Sequence, residues 1–143
     1  MTAHSGRVAG LSSIRAWVVA CLAVACLAAG GAAAQTTPAA RAEIDRLLDR
    51  LAASGCQFER NGMWHDATEA KAHLLRKLAY VEGKVAVRSA EQFISQVAAG
   101  SSTTGADYAV RCGKAPPIAS RAWLTAELAV LRSAGGAAAG APK

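Results

Sequence analysis

The stretch Cys56-Gln57-Phe58-Glu59-Arg60-Asn61-Gly62-Met63-Trp64 decides the fold. Its first five residues alternate, with Cys56 and Phe58 on one face and charged or polar residues on the other, the period of a half-buried strand. Asn61-Gly62 is the strongest short-range signal for a two-residue hairpin turn, so Met63 and Trp64 begin a return strand. Far along the chain, Tyr108-Ala109-Val110-Arg111-Cys112 alternates in the same way, with Tyr108, Val110 and Cys112 on one face. Antiparallel pairing of the two segments is compatible with a Cys56–Cys112 bridge if their α-carbons come within about 7 Å.

The cysteine count points to the same bridge. Arg7 and Arg15 precede the uncharged run from Ala16 to Ala29, which relaxes into Ala32-Ala33-Ala34. That is the three-part layout of a secretory signal peptide with cleavage after Ala34, and it removes Cys21 and Cys26. An uncleaved membrane anchor is the rival reading, weakened by the Ala- and Gly-rich second half of the run. Val18-Val19-Ala20-Cys21 and Ala23-Val24-Ala25-Cys26 fit a lipidation box poorly. Cys56 and Cys112 remain, and an even pair in an exported chain reads as a disulfide.

Around the strands, periodicity predicts helices. Ile44, Leu47, Leu48 and Leu51 fall at i, i+3, i+4 and i+7 on a helix from about Ala40 to Ala53, ended by Ser54-Gly55. Asp66 with Glu69 reads as a capping box for a long helix from Ala67 to Ala86, with Leu74, Leu78, Val81 and Val85 on its buried face. Ser89 with Gln92 opens a third helix carrying Phe93, Ile94 and Val97, which stops near Gly100. Ser101-Ser102-Thr103-Thr104-Gly105 is a polar loop. Pro116-Pro117 breaks the chain, and Ser120 caps a last helix carrying Trp123, Leu124, Leu128 and Leu131.

The expected fold is therefore α+β and predominantly helical: about four helices, a short antiparallel hairpin or sheet, and one disulfide. The expected organisation is a cleaved signal peptide over residues 1–34, a flexible leader over 35–40, a single disulfide-closed domain over 41–132, and a disordered low-complexity tail over 133–143. A loop of more than fifty residues closed by the bridge is stabilised by about 4 kcal/mol in the chain-entropy model, a large term for so small a domain.

Composition excludes some functions. The chain of 143 residues carries a formal charge of +6, with 52% hydrophobic residues and a mean hydropathy of +0.20. Alanine and the N-terminal segment supply most of that hydropathy. Beyond residue 34 there are fourteen basic and ten acidic residues, interspersed as in Arg41, Glu43, Asp45, Arg46, Asp49 and Arg50. This is the pattern of a solvated, salt-bridged helix surface and not of a nucleic-acid footprint.

Several pieces in register resemble a known family: Glu43-Ile44 with Leu47-Leu48, the run from Ser54 to Gly62, Glu69-Ala70 with His73-Leu74 and Lys77, Glu91-Gln92-Phe93-Ile94, Ser101-Ser102 with Gly105, Tyr108 to Gly113, and Trp123-Leu124. From about Ala40 to Leu131 the chain resembles the YfeK-like family, a domain of unknown function in small exported bacterial proteins. The resemblance implies a bacterial periplasmic protein with the paired cysteines, and it carries over no catalytic residues.

Three constellations bear chemistry. Glu69, His73 and Lys77 are spaced four apart on one helix face, just after Arg60-Asn61-Gly62. They read either as solvated i, i+4 pairs or, as function, as a base oriented by an acid or a row gripping an anionic group. His65, Glu69 and His73 resemble metal ligands only if the helix begins before Asp66, and the cap argues otherwise, so neither metal nor cofactor is expected. Ser101 to Gly105 lacks the G-x-S-x-G context of an exposed nucleophile. Trp64, Tyr80 and Trp123 read as core before stacking surfaces.

The residues taken forward are His73 and Glu69 as catalytic candidates, and Arg60, Asn61, Lys77, Ser101, Ser102 and Tyr108 as binding candidates. The expected function is a non-enzymatic periplasmic binding or interaction module engaging an envelope protein or an anionic envelope component, free of the membrane once the signal is cleaved. The alternative is a small hydrolase using His73 with Glu69 or a loop serine.

Overall fold

A computed structural model describes residues 36–139; the segment read as a signal peptide lies outside them, as do the last four residues of the tail. Helix α1 spans Pro38–Ala53. Thr37 caps it, its hydroxyl accepting from the Ala40 amide at 3.3 Å, and Pro38 fills a first-turn position where no amide hydrogen is needed. The helix therefore starts inside the segment expected to be a loose leader. Ile44, Leu47, Leu48 and Leu51 are fully buried along one stripe, as their spacing predicts.

Strands β1 (Gln57–Arg60) and β2 (Met63–His65) form the expected hairpin, Arg60 facing Met63 across the turn. Asn61 and Gly62 have φ of 52° and 81°, the left-handed pair that matches strand twist in a two-residue turn. Helix α2 spans Ala67–Glu82, and the Glu69 amide donates to Asp66 Oδ1 at 2.8 Å. It ends four residues earlier than its pattern predicts. Val85 consequently leaves the buried stripe and is 47% exposed, while Val87 in the following segment takes a core position. Helix α3 (Ala90–Phe93) widens into a π-helical turn over Ile94–Ala98 that keeps Phe93, Ile94, Val97 and Ala98 inward.

Strand β3 (Ala109–Arg111) pairs with β1 in the register Gln57–Arg111, Phe58–Val110, Glu59–Ala109. One step further along that register stand Cys56 and Cys112, disulfide-bonded with α-carbons 4.3 Å apart. A two-residue strand β4 (Ile118–Ala119) pairs with β3, completing an antiparallel sheet of order β2-β1-β3-β4. The sequence reads only a chain break there, since two residues after a Pro-Pro pair carry no alternation to detect.

Helix α4 runs Ser120–Ala139, through Gly135 and Gly136, further than the low-complexity composition leads one to expect. Alanine is the strongest helix former, and the run of alanines offsets two glycines costing about 1 kcal/mol each.

Helix α1 packs on α2, α3 and α4, and the sheet lays Phe58 and Val110 against α2 and α4. Trp123 joins this core edge-on to Phe58, with ring centroids 5.5 Å apart. Trp64 is half-buried, with the Arg111 guanidinium 4.1 Å above its ring, and Tyr80 is 65% exposed. Of the three aromatics expected in the core only Trp123 is fully there. Trp64 has strand neighbours on one side alone, and Tyr80 falls opposite the Leu74–Leu78 stripe.

Candidate functional site

The hairpin, the exposed side of α2 and the loop after α3 enclose two adjoining cavities. The inner one, about 310 Å³, has an apolar floor of Phe58, Ala70 and Leu74. Arg60, His65, Glu69, His73, Arg76 and Tyr108 also border it. The outer one is lined by Asn61, Lys77, Ser101, Ser102 and Thr103, and shares Arg60, His73, Arg76 and Tyr108 with the first. Every binding candidate from the sequence thus stands on this cleft, as do both catalytic candidates.

Local structure positions each group. Arg60 ends β1 on the face that carries Phe58, because strand residues two apart share a face. Helix α2 presents Glu69, His73 and Arg76 at i, i+4 and i+7. Lys77 reaches across to donate to the Gly100 carbonyl at 2.6 Å and lies 4.9 Å from the centre of the Tyr108 ring. Gly100 bridges to Asp107, and a β-carbon there would stand 2.7 Å from the Ala106 carbonyl oxygen, so glycine permits the loop to close. Within that loop the Ser101 hydroxyl accepts from the Thr103 and Thr104 amides at 3.4 and 3.2 Å. Thr104 Oγ1 donates to Asn61 Oδ1 at 3.5 Å, joining loop and hairpin turn.

Electrostatically the cleft is mixed: Arg60, Arg76 and Lys77 border it together with the carboxylates of Glu59 and Glu69 and the neutral groups between them. Burial, then the positive charges of Arg60, Lys77 and Arg76, with His65 last, pull the His73 imidazole down to about 4. Burial pushes the Tyr108 hydroxyl up, against the opposing pull of Arg60, and pushes Lys77 down. His73 Nε2 and Tyr108 Oη stand 3.2 Å apart, a neutral hydrogen-bonded pair with rings edge-to-face. Among the described residues Arg60 and Arg76 meet no carboxylate, whereas Arg41, Arg50, Lys71 and Arg132 are all ion-paired.

The catalytic pairing read from the sequence is not formed. Glu69 turns away from His73 and meets His65 Nδ1 at 3.2 Å. Helical spacing brings residues four apart near each other, but the hairpin brings His65 nearer still, and Tyr108 takes the His73 nitrogen. Ser101 is buried in its own turn and Ser102 is exposed on the loop; neither is hydrogen-bonded to His73. Among the described residues no group of three or more His, Cys, Asp and Glu side chains is placed to hold a metal ion.

Sequence reasoning missed Arg76, although its i+7 spacing from Glu69 puts it on the same helix face. It also missed Ser120, 2% exposed, which stands on the inner cavity with its backbone N–H donating to the Tyr108 carbonyl at 2.8 Å.

The model of a family of unknown function, DUF5329, matches residues 38–132, the whole span from α1 into α4. The uncharacterized protein YfeK of Salmonella typhimurium is 37% identical over 91 residues, covering 63% of this chain and 74% of that protein. No solved structure matches the chain.

Proposed function

Since the chain belongs to the DUF5329 family, whose function is unknown, we propose its role from the cleft: an exported, non-enzymatic binding module of the bacterial envelope that captures an anionic group. The observation that carries this reading is the pair of guanidiniums, Arg60 and Arg76, which border a cavity without being ion-paired to either carboxylate of its wall, Glu59 or Glu69. Guanidinium is weakly hydrated and geometrically matched to carboxylate and phosphate, so two of them beside a partly apolar wall favour an oxyanion. Lys77 and the hydroxyls of Ser102 and Thr103 extend the same surface outward.

Export is supported by the residue 1–34 layout and by the disulfide, which persists in an oxidising compartment. The hydrolase alternative loses support from the geometry. A histidine held at about 4 and bonded to Tyr108 is a poor base at neutral pH, and its expected acid partner is engaged elsewhere.

Titrating the purified protein with inorganic phosphate at low salt, and following the His73 and Tyr108 resonances, tests the reading. Binding is expected to weaken about tenfold in Arg60→Ala and again in Arg76→Ala, the scale of one charge-assisted contact. Arg50→Ala, on the far face, is the control and should bind as the parent does. Indifference of binding to both cleft arginines would refute the proposal.

A further inference from the structure

The outer cavity, about 650 Å³, is larger than the inner one and differs from it in charge. Helix α2 lines it with His73, Arg76, Lys77 and Tyr80, at i, i+3, i+4 and i+7 on one stripe, and Arg60 borders it from the end of β1. Among the described residues that line it none is acidic. The carboxylates of Glu59 and Glu69 belong to the wall of the inner cavity, and both are engaged: Glu59 accepts from the Gly62 amide, and Glu69 meets His65 Nδ1 at 3.2 Å. Glu69 precedes Arg76 by seven residues, about 10 Å of helix rise. An anion therefore avoids repulsion by sitting outward, where three cationic side chains stand together. Lys77 gives one ammonium hydrogen to the Gly100 carbonyl and keeps two. Asn61 accepts from Thr104 through Oδ1, which leaves its NH2 group to donate. The Lys84 ammonium lies 4.1 Å over one face of the Tyr80 ring, yet the residue is 65% exposed, so the opposite face is open.

Resting on the anion-binding reading above, we infer that the outer cavity takes a monosaccharide phosphate. A carboxylate brings one charge and two oxygens, matched to a single guanidinium fork. A phosphate monoester brings nearly two charges and three terminal oxygens, enough to answer Arg60, Arg76 and Lys77 together. The rest of the cavity is lined by Asn61, Ser102, Thr103 and Tyr80, an amide, two hydroxyls and an aromatic ring. These groups suit a sugar, whose hydroxyls pair with amide and hydroxyl groups and whose C–H bonds lie on an electron-rich aromatic face. A volume of about 650 Å³ is within the range of small-molecule sites and accommodates one sugar ring with its phosphate.

Four probes separate the contributions: glucose 6-phosphate, with ring and phosphate; glucuronate, the same ring with a carboxylate; inorganic phosphate; and glucose. Calorimetry on the purified protein at low salt should show glucose 6-phosphate bound about tenfold more tightly than glucuronate or inorganic phosphate, and glucose most weakly. Arg60→Ala should weaken every charged probe. Tyr80→Ala, a change at an exposed position that costs the fold little, should bring glucose 6-phosphate down to the level of inorganic phosphate. In the unmutated protein, the Tyr80 ring resonances should shift with glucose 6-phosphate and much less with inorganic phosphate, a readout independent of how any variant folds. Equal binding of glucose 6-phosphate and inorganic phosphate, an advantage that survives Tyr80→Ala, or glucuronate matching glucose 6-phosphate overturns this inference and leaves the anion site standing. Failure of both inorganic phosphate and glucose 6-phosphate to bind overturns both.

Discussion

The two sides of α2 treat charge in opposite ways. Toward α1, Lys71 meets Asp49 at 2.6 Å and Glu82 meets Arg41 at 3.4 Å; on α4, Arg50 holds Glu127 and Arg132 reaches Glu43 and Glu91. There most charges are answered within the chain, Arg46 and Arg121 excepted, and hydrogen bonding from Arg132 holds the Glu91 carboxyl down at about 2. Toward the hairpin, Arg60 and Arg76 are unanswered, His73 is held neutral by burial and like charges, and His65 Nε2 has no partner. Both His73 and Glu91 titrate low, but for contrary reasons. Attraction favours the charged carboxylate, while repulsion and desolvation disfavour the charged imidazole. On the proposed reading, the side carrying Arg60 and Arg76 is where an anion docks and the ion-paired side is scaffold.

The largest expected effect tests what holds the incomplete face in shape. The Cys56–Cys112 bridge joins β1, which carries Arg60, to the strand that follows Tyr108, with 56 residues of sequence separation. Replacing both cysteines by serine should lower unfolding stability by about 4 kcal/mol in urea titration. Anion binding should fall with it even under conditions where the chain remains folded. A midpoint that stays in place would mean that the helical side alone supports the sheet.

Acid titration should separate the two faces. Unfolded, His73 returns to its ordinary 6.5, above its folded value of about 4, so the unfolded chain binds the proton first as pH falls. Stability from this group is complete above pH 6.5 and is lost on the way down to 4. Glu91 has the carboxylate sign: its contribution is present above 4.5 and is lost as pH falls toward 2. The melting temperature should therefore decline in two stages. His73→Gln should remove the upper one and leave the lower, and Arg60→Ala should shrink the upper by relieving one of its causes. A single decline below pH 4.5 would contradict the assignment.

The smallest effect belongs to the paired face. Arg50→Ala should cost about 0.5 kcal/mol in chemical denaturation, the scale of a solvent-screened ion pair. A loss several times larger would show that the helical surface depends on its charges more than on Leu47, Leu48 and Leu51 beneath them.

The helices and strands were legible because they rest on local periodicity. Ile44 to Leu51 gave the first helix, and Asp66 its start for α2, while Asn61-Gly62 gave the hairpin. Cys56 and Cys112 gave the bridge because alternation on both strands put the two sulfurs on one face. The same reading erred where a pattern outlived its element: Val85 continues the α2 stripe on paper, but the helix has already ended at Glu82.

What the sequence determined by itself is thus most of the elements, the Asp66 and Ser89 caps and the sheet-closing disulfide, since each depends on residues near in sequence or on a pair fixed by covalent chemistry. The tertiary structure alone decided which side chains meet. It gave Glu69 to His65 in place of His73, set His73 against Tyr108, brought Arg60 and Arg76 together and carried Ser120 to the same wall. The His73–Tyr108 contact joins residues 35 apart, and even the Glu69–His65 pair, four apart, was chosen over Glu69–His73 by packing; pK shifts, burial and unpaired acceptors arise only from the distances that packing creates.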